Sequence, residues 1–391
     1  MPCTLPIVGA VSVAIWLYLT FARGFFWRTA HSRSNPSSRR DSELRVAAVI
    51  PARDEAAGIA SVVEALLQQH DVRMPVFLVD DGSTDGTAGI ARAAAAKLGR
   101  TEQLTIVEGQ ALPPGWTGKL WAMHQGIECA RALHPEWLLL ADADVWQGPL
   151  TVSSLADIAR RGEYDLVSYM VRLHCTSFAE KLLIPAFVYF FFKLYPPVWI
   201  RDPKKKTAGA AGGCMLVRTE SLVRAGGVDA IRGEIIDDCS LARLIKQHGG
   251  RLWLGLSDES HSIREYPTFS AIERMVSRTA FNQLNHSSLA LFGTVLGMAL
   301  TYVAPPFLLF SRAPLPTAFG ALACALMLLT YFDMVRYYRL SVPWVLTLPL
   351  AALFYLAATV HSALKYWMGT GGEWKGRAQD VGARHMGTAA K

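Results

Sequence analysis

The chain has 391 residues, of which 51% are hydrophobic and only 18% charged, and its formal net charge is +7. Soluble domains carry about 25% charged residues, so this balance argues against a fully soluble protein; the basic residues crowd beside apolar runs, where anionic lipid rather than nucleic acid is the expected partner. The six cysteines are scattered without a CxxC pair, which excludes a zinc site or a disulfide framework and indicates a reducing, cytoplasm-facing domain.

The first apolar run predicts an N-terminal transmembrane anchor over residues 1–26. Residues 5–22 are long enough to span a bilayer. Nothing basic precedes the run and six arginines follow it up to Arg45, whereas a cleavable signal peptide needs the reverse order. The positive-inside rule then places the residues after this anchor in the cytoplasm. Ser, Pro and Arg over residues 27–44 predict a basic linker.

From Arg45 onward, short apolar strands alternate with amphipathic helices, which predicts an α/β domain over residues 45–285. Such alternation is typical of a doubly wound, mostly parallel sheet whose ligands bind at the carboxyl ends of the strands. The predicted strands are Val46–Pro51, Val76–Val79, Leu104–Val107, Trp137–Ala141 and Asp165–Met170, and the predicted helices between them are 56–69, 85–98 and 118–133.

Residues 176–200 are strongly apolar but contain Lys181, Pro185 and Lys193. This broken run predicts an interfacial or re-entrant helix with its lysines at headgroup level, and a buried core helix is the alternative. Such a segment would bring the domain to the membrane surface.

Apolar runs at 289–311, 315–332 and 342–362 predict about three transmembrane helices within 286–364, followed by a basic tail over 365–391. If all three span, the basic tail ends outside, against the positive-inside rule. Either one run is re-entrant, with Pro305 and Pro306 pointing to the first, or the rule fails here.

Acidic motifs follow two of the predicted strands. Asp80 and Asp81, in VDDGSTDGT, are suited to accept hydrogen bonds from a nucleobase and a ribose, and Asp85 is suited to cap the next helix. Asp142 and Asp144 supply hard oxygen ligands for Mg²⁺ or Mn²⁺ held against a diphosphate. Both motifs fall at the edge where a doubly wound sheet binds ligands.

A third acidic pair, Asp237 and Asp238, precedes a helical stretch that runs to His248. A carboxylate beside another carboxylate is suited to act as the general base that deprotonates an acceptor hydroxyl. The alternative is that both residues only cap the helix and interact with its dipole.

Taken together, VIPARDE at 49–55, VDDGSTDGT at 79–87, Gly118-Lys119, DAD at 142–144, GAAGG at 209–213 and the paired acids resemble family-2 glycosyltransferases of the GT-A fold. The flanking apolar segments are similar to those of the ceramide-glucosyltransferase-like branch. The runs TGKLWAMHQG, IIDDCSLARLIKQHGG and RMVSRTAFNQL most resemble the hopene-associated glycosyltransferases of bacterial hopanoid clusters.

This resemblance implies a role for each matching residue. Asp238 is the implied catalytic base, with Asp237 beside it, and Gly212 and Gly213 are implied on the acceptor side, while Asp142 and Asp144 would hold a divalent metal, Mn²⁺ or Mg²⁺. The implied donor contacts are Pro51, Asp54, Glu55, Asp80, Asp81, Lys119, Asp142 and Arg278. The Q-x-x-R-W motif of processive relatives is reduced to Arg278, which argues against a polysaccharide synthase.

The implied function is inverting transfer of a sugar from a nucleotide-diphosphate sugar, UDP-linked, to a hydroxyl of a hopanoid-like membrane lipid in the bacterial cytoplasmic membrane. A polyprenyl-phosphate or ceramide-type acceptor is the first alternative. A non-catalytic nucleotide-sugar-binding scaffold is the second. A phosphatase of the haloacid-dehalogenase type, with DADV at 142–145 as its nucleophile motif, is the third, and it leaves VDDGSTDGT unexplained.

Overall fold

The computed structural model describes residues 4–29 and 44–368, together with two short paired strands, Glu373–Trp374 and Arg377–Ala378. Most of the predicted linker at 27–44 and of the predicted tail at 365–391 lies outside these residues. The described chain divides into two compact units. The sheet unit contains residues 44–174 and 199–264, and the helical unit contains residues 4–29, 175–198 and 265–368.

The sheet unit is built on one mixed sheet of eight strands within the described residues, in the order β3-β2-β1-β4-β7-β6-β8-β5. The first four strands in this order pair in parallel, β6 and β8 are also parallel, and β7 runs antiparallel to both β4 and β6. The strands are β1 (Val46–Ala52), β2 (Val76–Asp80), β3 (Leu104–Glu108), β4 (Trp137–Ala141), β5 (Val145–Trp146), β6 (Leu166–Arg172), β7 (Cys214–Arg218) and β8 (Leu252–Ser262).

The central strands are continuous apolar runs because both of their faces are covered. Every residue of β1 and β4 is buried, as expected for parallel strands between two helical layers. All five predicted strands are confirmed to within about two residues at each end. The strands β5, β7 and β8 were not predicted, since β5 has only two residues, β7 directly follows a glycine-rich run, and half of β8 is polar.

Helices cover the sheet and place the loops at its carboxyl edge. The helix α4 begins at Gly118 because Thr117 caps it, its Oγ1 accepting from the Leu120 N–H at 3.4 Å. The helices of this unit are α2 (Ile59–Leu67), α3 (Thr87–Lys97), α4 (Gly118–Arg131), α5 (Thr151–Gly162), α8 (Thr219–Arg224) and α9 (Asp237–Gln247), and α7 (Pro197–Arg201) leads into the unit.

The helical unit supplies helices that are long and apolar enough to cross a membrane. Among the described residues five segments qualify, Thr4–Ala22, Phe178–Arg201, Ser288–Leu308, Pro314–Tyr337 and Val342–Trp367. Four of them match the predicted anchor and the three predicted C-terminal spans. The α-helices are α1 (Thr4–Leu17), α6 (Phe178–Leu194), α10 (Phe269–Ser277), α11 (Ser288–Met298), α12 (Ala304–Leu308), α13 (Pro314–Tyr337) and α14 (Leu348–Trp367).

The segment predicted as 176–200 contains α6 and α7, with a break at Tyr195 and Pro196, and the start of α6 is capped. A capping box joins Ser177 and Glu180 at the beginning of α6, and the buried Glu180 also accepts from the Tyr266 N–H at 2.7 Å. This segment and the residues after Arg264 group with the apolar helices of the helical unit. The compact sheet unit ends at Arg264, and the predicted domain boundary at 285 stays a prediction.

The first C-terminal span is irregular where its two prolines enter. A π-helical turn at Ala299–Val303 precedes Pro305 and Pro306, which lack the N–H groups that would continue an α-helical ladder. The prolines thus explain a break in hydrogen bonding while the segment as a whole remains helical through Leu308.

Candidate active site

The loops after β1 and β2 are tied together by side chains that bind backbone N–H groups. Ser83 Oγ accepts from the Asp54 N–H at 3.0 Å, and the Asp54 carboxylate accepts from the Thr84 N–H at 2.9 Å. The Glu55 N–H donates to Thr87 Oγ1 at 2.9 Å. Asp54 has φ +49°, a left-handed conformation that aspartate tolerates better than most residues. Polar residues of the VDDGSTDGT motif therefore build the loop that carries Asp54 and Glu55.

The two aspartates after β2 have different surroundings. Asp80 Oδ1 accepts from the Ser83 N–H at 2.9 Å, which closes the turn. Asp81 is only 1% exposed, and its carboxylate lies 3.6 Å from Arg53 Nη1. Pro51 is buried in β1 in register with Val79. These contacts hold the edge of the sheet together, and the predicted donor contacts of Pro51, Asp80 and Asp81 remain predictions.

Asp85 lies one residue before the N-cap of α3, which is Gly86, and its carboxylate accepts from the Thr87 N–H at 3.1 Å and from Thr87 Oγ1 at 2.5 Å. The hydrogen bonds from Thr87 and from the Ala56 N–H lower the pKa of Asp85. This acid stabilises the start of α3, close to the predicted capping role.

Four charged residues from three distant segments meet in what we term the acidic centre: Lys119, Asp142, Asp237 and Asp238. Lys119 Nζ lies 2.8 Å from Asp142 Oδ1 and 3.0 Å from Asp237 Oδ2. Burial alone would lower the pKa of Lys119, but the carboxylates outweigh it and the pKa lies above its usual value. Lys119 therefore stays protonated and links the DAD motif to the paired acids.

Asp238 is held against the glycine-rich segment. Its Oδ2 accepts from the Gly212 N–H at 2.9 Å, and its Oδ1 from the Cys239 N–H at 2.7 Å. Burial and the neighbouring Asp237 carboxylate raise the pKa of Asp238 to about 6, against the opposing effect of Lys119. A carboxylate with this pKa is deprotonated at neutral pH and basic enough to accept a proton from a polarised hydroxyl.

The two glycines lie beside the acids, and a Cβ would be crowded only at Gly213, against Val145. A Cβ at Gly212 would lie 3.4 Å from Asp238 Oδ2 and 3.5 Å from Lys119 Nζ. A Cβ at Gly213 would lie 2.9 Å from Val145 Cγ2 and 4.0 Å from Asp142 Oδ2. The antiparallel pairing of β7 with β4 places them there, since Ala141 faces Cys214 in register.

A second cluster, which we term the arginine bridge, consists of Glu55, Asp144 and Arg264. Arg264 Nε donates to Asp144 Oδ2, and Arg264 Nη2 lies 2.7 Å from Glu55 Oε1. The bridge joins the ends of β1, β4 and β8. Arg264 was not among the predicted site residues, because no motif marks an arginine that follows a strand with a polar second half.

The donor set suits a divalent metal that binds together with a phosphate ligand. Within residues 4–29 and 44–368, no three His, Cys, Asp or Glu side chains come together closely enough to hold an ion by themselves. Mg²⁺ and Mn²⁺ sites often use one or two carboxylates with substrate phosphates completing the shell. Asp142 and Asp144 fit that arrangement, although each already contacts a protein cation.

Two further residues, His261 and the predicted donor contact Arg278, are members of neither cluster. His261 is exposed and its ring lies 5.0 Å from that of Trp146, with no carboxylate contact among the described residues. Arg278 belongs to the helical unit and is exposed at the end of α10. The structure thus brings Glu55, Lys119, the DAD acids, the paired acids and the two glycines into the two clusters, and leaves the role of Arg278 a prediction.

Large cavities lie at the opposite edge of the sheet. One of about 570 Å³ is lined by Gln69, Arg73, Arg100 and Glu102, and a larger one of 740 Å³ lies at the amino ends of β1, β2 and β4. Ligands of doubly wound sheets bind at the carboxyl ends. The charged clusters, not these cavities, therefore define the candidate active site.

A family model described as "Glycosyltransferase like family 2" matches residues 44–279, more than half of the chain. The matched segment contains both charged clusters. This family match argues against the phosphatase alternative, which left the motif VDDGSTDGT unexplained. Among the curated proteins, no sequence matches the chain.

Solved structures similar to this chain include a mannosyltransferase from Pyrobaculum calidifontis in complex with GDP-Man and Mn²⁺. It is 18% identical, with a TM-score of 0.52, and the match covers 92% of this chain and 99% of that chain. A glucosyl-3-phosphoglycerate synthase from Mycobacterium tuberculosis, in complex with Mn²⁺, UDP-glucose and phosphoglyceric acid, is 19% identical over 62% of this chain and 82% of that chain, with a TM-score of 0.39. The first likeness shows a shared GT-A-like fold.

Proposed function

Since the chain belongs to the glycosyltransferase-like family 2, we propose that it moves a sugar from a nucleotide-diphosphate sugar, UDP-linked, to a hydroxyl of a membrane lipid with inversion at the anomeric carbon. The observation that carries this proposal is Asp238, a half-buried carboxylate with a raised pKa that is held against Gly212 near the DAD motif and its lysine. Inverting transfer needs one general base on the acceptor side, and Asp238 meets that need.

In the proposed mechanism Asp238 accepts the proton of the acceptor hydroxyl as that oxygen attacks the anomeric carbon. The Gly212 N–H holds one carboxylate oxygen of Asp238, which fixes its orientation. Lys119 stabilises negative charge on the departing nucleotide diphosphate, because it remains protonated between Asp142 and Asp237. Direct displacement breaks the bond from the anomeric carbon to the diphosphate oxygen and forms the new glycosidic bond.

The donor would bind along the carboxyl edge of the sheet. Asp54, Glu55 and Asp80 would accept hydrogen bonds from the nucleoside, while Asp142 and Asp144 would hold a divalent metal. Such an ion, when bound, neutralises charge on the leaving diphosphate. The donor class is supported by GDP-Man in the related mannosyltransferase structure.

The acceptor is proposed to be a membrane lipid because the chain carries several segments able to span a bilayer. The resemblance to hopene-associated glycosyltransferases supports a hopanoid-like lipid as that acceptor. The segment containing α6 cannot cross it once, since β6 and β7 on either side of it are neighbours in one sheet. We therefore propose that it lies at the membrane surface or re-enters, where it would present the acceptor. We also propose, from the arginines after the first span and the positive-inside rule, that the sheet unit faces the cytoplasm of a bacterial cell.

The test is release of nucleotide diphosphate by the detergent-purified chain with Mn²⁺ or Mg²⁺. A panel of UDP- and GDP-sugars would be supplied with and without hopanoid-containing lipid extract. Release that the extract stimulates and that Asp238→Asn lacks would support the proposal. Asp157→Asn, which removes a half-buried acid paired with Arg161 at 2.7 Å on α5, is the matched control and is expected to retain activity.

The same assay separates the alternatives. Stimulation by polyprenyl phosphate or ceramide in place of the hopanoid extract would reassign the acceptor. Nucleotide binding without release from any donor would favour the non-catalytic scaffold. Retained anomeric configuration in the product, determined by NMR, would overturn the inverting mechanism.

A further inference from the structure

Arg264 occupies a carboxylate that the proposed function assigns to the metal. Its Nε donates to Asp144 Oδ2 while its Nη2 binds Glu55, and the side chains of Arg264, Asp144 and Glu55 are 33%, 21% and 17% exposed. The guanidinium is permanently charged and offers five N–H donors, so one group serves both acids at once. Asp144 is thus engaged by a protein cation before any metal binds.

The backbone around Arg264 fixes its direction. The Ile263 N–H donates to the Asp144 carbonyl at 2.9 Å, and β5 pairs with β8 through Val145 and Ser262. Ser262 Oγ accepts from the Arg264 N–H at 3.2 Å. Arg264 is therefore held beside the DAD motif by the sheet itself and not by its side chain alone.

A divalent ion on Asp144 and a guanidinium on the same carboxylate repel each other. Like charges a few ångströms apart repel more strongly at a half-buried site than in bulk water, because solvent screens them less there. The donor diphosphate changes this balance, since its negative oxygens attract both cations. The ion pair with Glu55 keeps the guanidinium at the site when the guanidinium leaves Asp144.

We propose, on the basis of the proposed function, that Arg264 holds Asp144 until the donor binds and then turns to the diphosphate, so that donor and divalent metal bind together. Arg264 is a positioning residue under this proposal. Coupling of this kind is reciprocal, so the nucleotide raises metal affinity by the same factor as the metal raises nucleotide affinity.

A purely orienting role for Arg264 makes the opposite prediction. When a residue that only orients a metal ligand is removed, the affinity of the site for the metal falls. If Arg264 competes for Asp144, its removal raises metal affinity in the absence of nucleotide. The sign of the change therefore separates the two roles.

The experiment measures free Mn²⁺ by electron paramagnetic resonance during titration of the full-length protein in detergent, alone and with UDP or GDP. For the unaltered protein we expect weak binding alone and binding on the order of tenfold tighter with nucleotide. Arg264→Gln should bind Mn²⁺ alone on the order of tenfold more tightly and lose most of the nucleotide effect. Arg264→Lys keeps the positive charge and should stay close to the unaltered protein.

Two further variants complete the design. Glu55→Gln leaves the guanidinium on Asp144, so this variant should bind Mn²⁺ alone no more tightly than the unaltered protein. When Asp144→Asn is added to Arg264→Gln, the double variant should lose the increase in Mn²⁺ affinity that Arg264→Gln alone produces. Unchanged or weaker Mn²⁺ binding by folded Arg264→Gln, checked by its melting temperature, would overturn the proposal. Because this readout needs no sugar transfer, failure of the proposed transferase reaction is detected separately, in the release assay.

Discussion

The acid pairs Asp80–Asp81 and Asp237–Asp238 are identical in sequence and differ in what the fold does with them. The first pair follows β2 and holds a turn and Arg53. The second begins α9 and faces Lys119 and the glycine-rich segment, where burial and mutual repulsion raise the pKa of Asp238. The surroundings of the second pair suit a reacting group, while the contacts of the first pair hold the turn from which Asp80 is proposed to meet the nucleoside.

The largest expected effect falls on the second pair. Asp238→Asn removes the proposed base and keeps the shape of the side chain, so kcat should fall by roughly 10³-fold while nucleotide binding is retained. Steady-state release kinetics and nucleotide titration measure the two quantities. A fall of less than about tenfold would remove Asp238 from the role of general base.

Lys119→Met should cost on the order of 10²-fold in kcat, because it removes the charge that stabilises the leaving diphosphate. Lys119 lowers the pKa of Asp238. The loss of Lys119 should therefore also shift the pH at which kcat/KM falls on the acidic side to a higher value. The profile of kcat/KM between pH 5 and 8 measures both, and an unshifted fall on the acidic side would contradict the electrostatic coupling.

The pH dependence itself tests the second pair. Asp238 works deprotonated and its pKa is raised to about 6, so kcat/KM should be constant at neutral pH and fall as the pH drops through about 6. Asp237→Asn removes a negative neighbour that raises the pKa of Asp238, so the fall of kcat/KM on the acidic side should move to lower pH. A shift in the other direction would show that Asp237 acts mainly by holding Lys119.

The smallest expected effect falls on the first pair and is structural. Arg53→Met removes the cation 3.6 Å from the buried Asp81 and should cost about 2 kcal/mol of stability. The midpoint of thermal inactivation should fall while kcat of the surviving enzyme stays within about twofold of the original. A loss of kcat at unchanged thermal stability would assign the first pair to chemistry as well.

Much of the fold was predictable because its signals are local. The strands β1, β2 and β4 are buried on both faces and read as unbroken apolar runs, and the spans read as long uncharged runs. The antiparallel β7 was not predicted, since it directly follows a glycine-rich run. That strand carries Gly212 and Gly213 to the acids.

The amino-acid pattern was enough to indicate which edge of the sheet is charged, because acids that directly follow parallel strands must meet at the carboxyl ends. Which acid faces which cation depended on the folded arrangement of the strands. Arg264 lies 120 positions from Asp144 and 209 from Glu55, and nothing local to any of the three specifies the contact. Such pairings arise from strand order and register, which are set by packing across the whole sheet.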